Sequence, residues 1–223
     1  MDKERINKLI FYRHFVYKYV SKITGLRYLR NLFIRRKLKD YEFSVFSNNC
    51  IGGVFLHDAN KRFNSPTVNL ATDGESFMKY LENPRLYCDG VFEKPERKGS
   101  IHPEGILHGM YVNFVHYDTF EGGVKKWRER SKRIIWDHIY VIATGHDGME
   151  DPLIMERFDK LPYKHKVMFT FGKWKQYNWA KQVKHIHGVV RPFTEFATIT
   201  GKRYYESAFN LSKWIEKCEE EYK

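Results

Sequence analysis

Cysteine is scarce. Cys50, Cys88 and Cys218 form no Cys-x-x-Cys pair, and their odd number argues against a disulfide framework. A reducing, cytoplasmic compartment is therefore expected. No apolar run approaches the ~18 residues that a bilayer span needs. Arg13 and Lys18 interrupt the apolar stretch near the N-terminus, so no signal peptide is expected either. Gly-x-Gly-x-x-Gly, Walker and Asp-x-Asp sequences are missing, which leaves no named phosphate loop. His185 and His187 share a strand face without a Cys, Asp or Glu at ligand spacing, so no metal is expected.

Positive charge and aromatics are plentiful. Of the net +12, +9 falls in residues 1–40, which hold 12 Lys/Arg against 3 Asp/Glu. Within residues 3–24, Leu9, Tyr12, Phe15, Val16, Tyr19, Val20 and Ile23 recur at helical spacing, and Gly25 suits the position just past a helix end. A second basic stretch follows, from Arg27 to Lys39. This predicts a basic amphipathic segment, residues 1–40, ahead of a single domain, residues 41–223. Such a segment suits an anionic membrane surface. It also fits a helix packed on its own domain with a solvated basic face, or a nucleic-acid arm. Residues 125–133 are basic as well, but no RNP, KH or helix-turn-helix signature is present, so nucleic acid is the weaker expectation.

The domain reads as alternating strands and helices. Tyr41–Phe46, Met110–Tyr117, His138–Thr144 and Lys166–Phe171 suit strands; 54–60, 120–133, 152–158 and 203–220 suit helices. Phe63, Val68 and Leu70 suggest a further strand that Pro66 confines to an edge or entry position. Thr72 with Glu75 forms a capping box for a helix running to Asn83. Residues 93–105 read as a surface loop, and His185–Val190 as extended. This order predicts an α/β fold with a largely parallel sheet.

Three polar turns follow predicted strands, where open α/β sheets bind ligands. The first, Ser47-Asn48-Asn49-Cys50-Ile51-Gly52-Gly53, offers backbone N–H groups and amides, with glycines for φ > 0 or close approach. The second is His116-Tyr117-Asp118-Thr119, and the third is Gly145-His146-Asp147-Gly148. His116 is the general acid/base candidate, because imidazole titrates near neutral pH. Asp147 is placed to orient it or to bind a sugar or metal. Cys50 is either a nucleophile at a helix start, with His57 or His116 as base, or a small buried hydrophobe. Trp127, Arg130 and Ile134 share a helix face. Arg128, Arg130 and Arg133 suit phosphate oxygens, the alternative being a solvated face.

Four ordered blocks resemble a known family. They are the Ser47–Gly53 turn, Phe63-Asn64-Ser65-Pro66-Thr67-Val68-Asn69-Leu70, Phe114-Val115-His116-Tyr117, and Lys126-Trp127-x-x-Arg130-x-x-Arg133-Ile134. Together they look like the bacterial "domain of unknown function nineteen-nineteen" family, whose members are often labelled exopolysaccharide biosynthesis proteins. Lys166–Thr170 and Gly201–Glu206 also fit, so the resemblance covers about residues 41–215; His146 stands where the pattern leads one to expect Arg. The resemblance implies a three-layer α/β/α fold and a place in capsule or exopolysaccharide assembly, without supplying a reaction.

The expectation drawn here is a glycosyltransferase-like transferase acting on a sugar nucleotide or lipid-linked glycan, peripheral on the inner face of the membrane, with no other cofactor. Asn48, Asn49, Cys50, Gly52 and Gly53 with Arg130 and Arg133 would hold the diphosphate. Asn64, Ser65 and Asn69 would bind sugar hydroxyls, Trp127 and Asp147 would assist binding, and His116 with Tyr117 and Asp118 would do the proton transfer. The alternatives are an acyltransferase using Cys50 or His116, and a non-catalytic basic protein binding nucleic acid or anionic glycan.

Overall fold

The computed structural model describes residues 3–95, 100–184 and 193–222. The extended segment expected at 185–190, with His185 and His187, lies outside the described residues. Strands β1 (Ser44–Phe46), β4 (Ile139–Thr144), β5 (Lys166–Thr170) and β6 (Ala180–Gln182) form a parallel sheet in the order β1-β4-β5-β6. Alternating side chains divide between its faces. Val45, Tyr140, Ile142, Val167 and Phe169 pack with α2 (Leu26–Leu38), α3 (Cys50–Ala59), α7 (Tyr204–Ala208) and α8 (Leu211–Glu220). Phe46, Val141, Ala143 and Met168 pack with α4 (Gly74–Glu82), α5 (Phe120–Ser131), α6 (Pro152–Lys160) and a hairpin. The result is an α/β fold with helices on both faces of a parallel sheet, preceded by helix α1 (Lys3–Ile23). Among the described residues no helix is long and apolar enough to cross a membrane.

The strand expected over 110–117 is short and lies outside this sheet. β3 (Met110–Asn113) pairs antiparallel with β2 (Glu104–Leu107) through a two-residue turn. His108 and Gly109 both have positive φ, 49° and 72°, as a tight hairpin with right-handed twist requires. So the end of the predicted 93–105 loop is a strand, and His108 is a turn residue.

The expected strand around Phe63–Leu70 is also corrected. It runs beside β1 without a ladder, and side chains take the place of backbone pairing. Ser65 Oγ donates to the Val45 carbonyl, Asn64 Nδ2 donates to the Phe43 carbonyl (3.4 Å), and Thr67 Oγ1 accepts from Ser47 N–H (3.1 Å). These bonds cover the edge of β1 while Pro66, which has no N–H, is accommodated.

Three helix boundaries move. The helix expected over 54–60 begins at Cys50, because Asn49 caps it. Asp73, not Thr72, caps α4 by accepting from Ser76 N–H, while Thr72 is buried against the Asn48 carbonyl. The expected 203–220 helix breaks at Phe209-Asn210, where Asn210 caps α8.

The basic N-terminal segment divides in two. Gly25, at φ 68°, ends α1 and turns the chain into α2. α2 docks on the domain through a buried ion cluster. Arg27 pairs with Asp58 and with Glu206 (2.8 Å), and Arg203 Nε reaches Asp58 at 2.9 Å. Burial alone would raise the Asp58 carboxyl, but Arg203 and Arg27 outweigh it and hold it below the ordinary carboxylate range. On α1, by contrast, Phe11, Tyr12, Phe15 and Tyr19 are exposed.

Candidate active site

At the carboxyl end of β1 the chain turns straight into α3, which makes Cys50 the first helical residue. The turn forms because two side chains cap the helix: Asn49 Oδ1 accepts from Ile51 N–H (3.1 Å) and Ser47 Oγ accepts from Gly52 N–H (3.2 Å). Gly52 and Gly53 serve close approach rather than positive φ. A Cβ at Gly52 would lie 2.8 Å from Ser47 Cβ, and one at Gly53 would overlap the Asn69 amide.

From the hairpin, the connection between β3 and α5 carries His116 to this helix start. Tyr117 N–H bonds to the Phe114 carbonyl (3.0 Å), and the turn brings His116 Nε2 to 3.1 Å from Cys50 Sγ. Cys50 is half-buried and His116 exposed. Burial first, then the neighbouring His102 and Arg130, lower the His116 pKa, so the imidazole is neutral at pH 7 and able to take a proton. The positive end of α3 favours negative charge on a thiol at that position. His57, the other base considered for Cys50, lies on the last turn of α3 with its side chain 81% exposed.

A second set of polar groups ties the strand ends together. Asn48 is buried; its Nδ2 donates to the Thr144 carbonyl (3.1 Å) and its Oδ1 accepts from Thr144 N–H (3.0 Å). Two such bonds contribute about 1 kcal/mol each. Asn49 Nδ2 donates to Thr144 Oγ1 (2.6 Å), which in turn meets His146 Nδ1 at 3.0 Å. Glu150 accepts from Phe171 N–H, Gly172 N–H (3.0 Å) and Trp174 Nε1 (3.1 Å), fixing the turn after β5.

Several expected ligand groups are engaged by the chain itself. Asn64 and Ser65 hold β1, as described. Arg130 is buried, donates to the Val68 carbonyl at 2.6 Å and lies over the Phe63 ring; Arg133 donates to the Phe63 carbonyl at 2.9 Å. Both guanidiniums therefore anchor the 63–68 segment instead of lining a diphosphate cradle. Trp127 is a core residue, its indole N–H bonded to the Tyr87 carbonyl at 2.7 Å. Asp147 lines a separate hollow of about 650 Å³ between α4 and α6, with Asp73, Asp151 and Arg157. Tyr117 is half-buried with its ring edge-on to Phe114, Asp118 is exposed, and Asn69 sits at φ 59° against the first turn of α3.

Of the expected site residues, the geometry thus brings together Cys50 and His116, with Asn49 capping α3 and Asn69 packed against its first turn. Thr144 and Glu150 were not foreseen. Thr144 stands last in the apolar β4 run, a polar residue whose position was its only signal; Glu150 carried none.

The chain matches the family described as "Domain of unknown function (DUF1919)" over residues 20–216. It belongs to the DUF1919 family. The match takes in α2, in keeping with the docking of that helix on the sheet. An uncharacterized protein of Haemophilus influenzae is similar to this DUF1919 chain, 33% identical over 191 residues, which are 85% of this chain and 91% of that one.

Proposed function

We propose that this DUF1919 protein is a transferase of polysaccharide assembly that works through a thiol–imidazole pair, carrying an acyl group on Cys50 and passing it to a glycan hydroxyl. The observation that carries this reading is the 3.1 Å approach of Cys50 Sγ to His116 Nε2 at the start of α3. The polysaccharide context rests on the resemblance of the four sequence blocks.

In the first half-reaction, Cys50 Sγ attacks the acyl carbonyl of the donor. Its proton passes to His116 Nε2, a C–S bond forms, the donor's bond to its thiol, alkoxide or phosphate leaving group breaks, and His116 returns the proton to that leaving group. In the second, the acceptor hydroxyl gives its proton to His116 and attacks the thioester. The C–S bond breaks, and the thiolate recovers the proton.

Peripheral attachment to an anionic membrane, where a lipid-linked glycan would be presented, belongs to the same proposal. It is supported by exposed Phe11 and Phe15 on a strongly basic segment. The sugar-nucleotide reading has less support, since Asn48, Arg130 and Arg133 are bonded within the chain.

The test is intact-protein mass spectrometry after incubation with acyl-CoA or acyl-phosphate donors. A hydroxylamine-labile adduct on Cys50, absent in Cys50→Ser and slowed in His116→Ala, is expected. No adduct from any donor, together with about 2.7 kcal/mol of thermal stabilisation by a sugar nucleotide at 100 times its Kd, would instead establish the glycosyl reading.

A further inference from the structure

One stripe of α2, formed by Arg30, Phe33, Ile34 and Lys37, makes a wall of a cavity of about 430 Å³. These positions follow i, i+3, i+4, i+7 and so share a helix face. The opposite wall comes from Lys202, from Tyr205 and Glu206 on α7, and from the start of α8 at Asn210–Ser212; buried Phe55 also lines the space.

The lining is cationic. Three basic side chains, Arg30, Lys37 and Lys202, face one carboxylate, and Glu206 is already paired with Arg27. Lys37 is held by Glu216 at 2.5 Å, whereas Lys202 has no side-chain partner among the described residues. Arg30 spends only Nε, on the Thr200 carbonyl at 3.1 Å. The N-terminus of α8 adds a favourable field for an anion.

Tyr205 contributes wall only: it is 1% exposed, and its hydroxyl is buried away from the opening. The cavity also adjoins apolar surface: Phe33 on its wall is 70% exposed, and Leu29, four residues before it on α2, is exposed too. Aromatic side chains beside cations are the composition of a surface that meets lipid headgroups.

We infer that this cavity binds the phosphate of an anionic phospholipid headgroup, with Lys202 and Arg30 as its partners. The inference rests on the membrane reading proposed above and names its lipid chemistry. It also gives α2 a part in the attachment, not α1 alone.

The experiment is co-sedimentation of the full chain with phosphatidylcholine vesicles, with and without phosphatidylglycerol. Arg30→Ala, Lys202→Ala and the double variant are compared with the parent, melting temperature and Cys50 labelling serving as controls for folding. Binding to the phosphatidylglycerol vesicles is expected to fall about fivefold per cation removed, roughly 30-fold for the pair. Binding to phosphatidylcholine alone should not change. Anionic-vesicle binding that the double variant leaves intact overturns the site while the membrane reading stands. Failure to bind either vesicle overturns both. Displacement by millimolar glycerol 3-phosphate in solution assigns the cavity to a soluble phosphate and overturns the lipid assignment. Self-association that buries Phe33 and abolishes vesicle binding overturns it equally.

Discussion

Replacing Asp58 by Asn removes the negative charge that lies between Arg27 and Arg203 while preserving shape. Asp58 is 2% exposed, takes bonds from both guanidiniums and from Asn31 Nδ2 (3.2 Å), and links α3 to α2 and α7. Removing one partner of a buried ion pair costs about 3–5 kcal/mol because the other charge is left uncompensated. Arg27 keeps Glu206 and the Gly201 carbonyl at 2.9 Å, which places the expected loss near the lower end, about 3 kcal/mol. For a chain of this size that is roughly 6–12 °C in Tm. The pH dependence supplies a second check. The folded Asp58 carboxyl titrates below its unfolded value, so its stabilisation is complete above about pH 4, the unfolded pKa, and is lost as pH falls through the lower folded pKa. Urea denaturation of parent and Asp58→Asn at pH 7 and through the acid range measures both. A loss under 1 kcal/mol at pH 7, or a gap between the proteins that does not shrink in acid, would refute the reasoning.

Other substitutions probe the site directly. Gly53→Ala places a methyl on the Asn69 amide and should cost about 1–3 kcal/mol by overpacking; adding Asn69→Gly, which suits φ 59°, should restore most of it in thermal melts. Arg130→Met removes a cation that lowers the His116 pKa, so an NMR titration should show that imidazole titrating at higher pH than in the parent. The same variant loses the charge-assisted bond to the Val68 carbonyl and should be less stable by about 1.5–3 kcal/mol, read by urea denaturation.

Much of the fold was legible because its central elements are periodic. The apolar run at Ile139–Thr144, the strand at Lys166–Thr170 and the helix at Phe120–Ser131 stand close to where their patterns put them. The failures have physical causes. Residues 63–70 have strand-like composition, but Asn64, Ser65 and Thr67 satisfy the neighbouring backbone through side chains, and no ladder forms. The hairpin hinges on His108-Gly109, a two-residue turn lying between the predicted 93–105 loop and the predicted 110–117 strand. Arginines on α5 looked like an anion site, yet their carbonyl acceptors at Phe63 and Val68 are 70 and 62 residues away in sequence, visible only once folded. The same holds for Cys50 and His116. Each was recognisable as a reactive residue after a strand, but the choice between His116 and His57 as the base needed the hairpin that carries His116 back to α3.

The thiol–imidazole pair is tested most directly by alkylation of the native protein with iodoacetamide at neutral pH, with mass-spectrometric mapping of the three cysteines. Burial raises the pKa of both Cys88 and Cys218, which makes them slow competitors. Cys50 is expected to be modified first and fastest, and His116→Ala to slow it severalfold while the melting curve stays unchanged. Equal rates at Cys50 and Cys88, or a Cys50 rate indifferent to His116→Ala, would contradict the pairing.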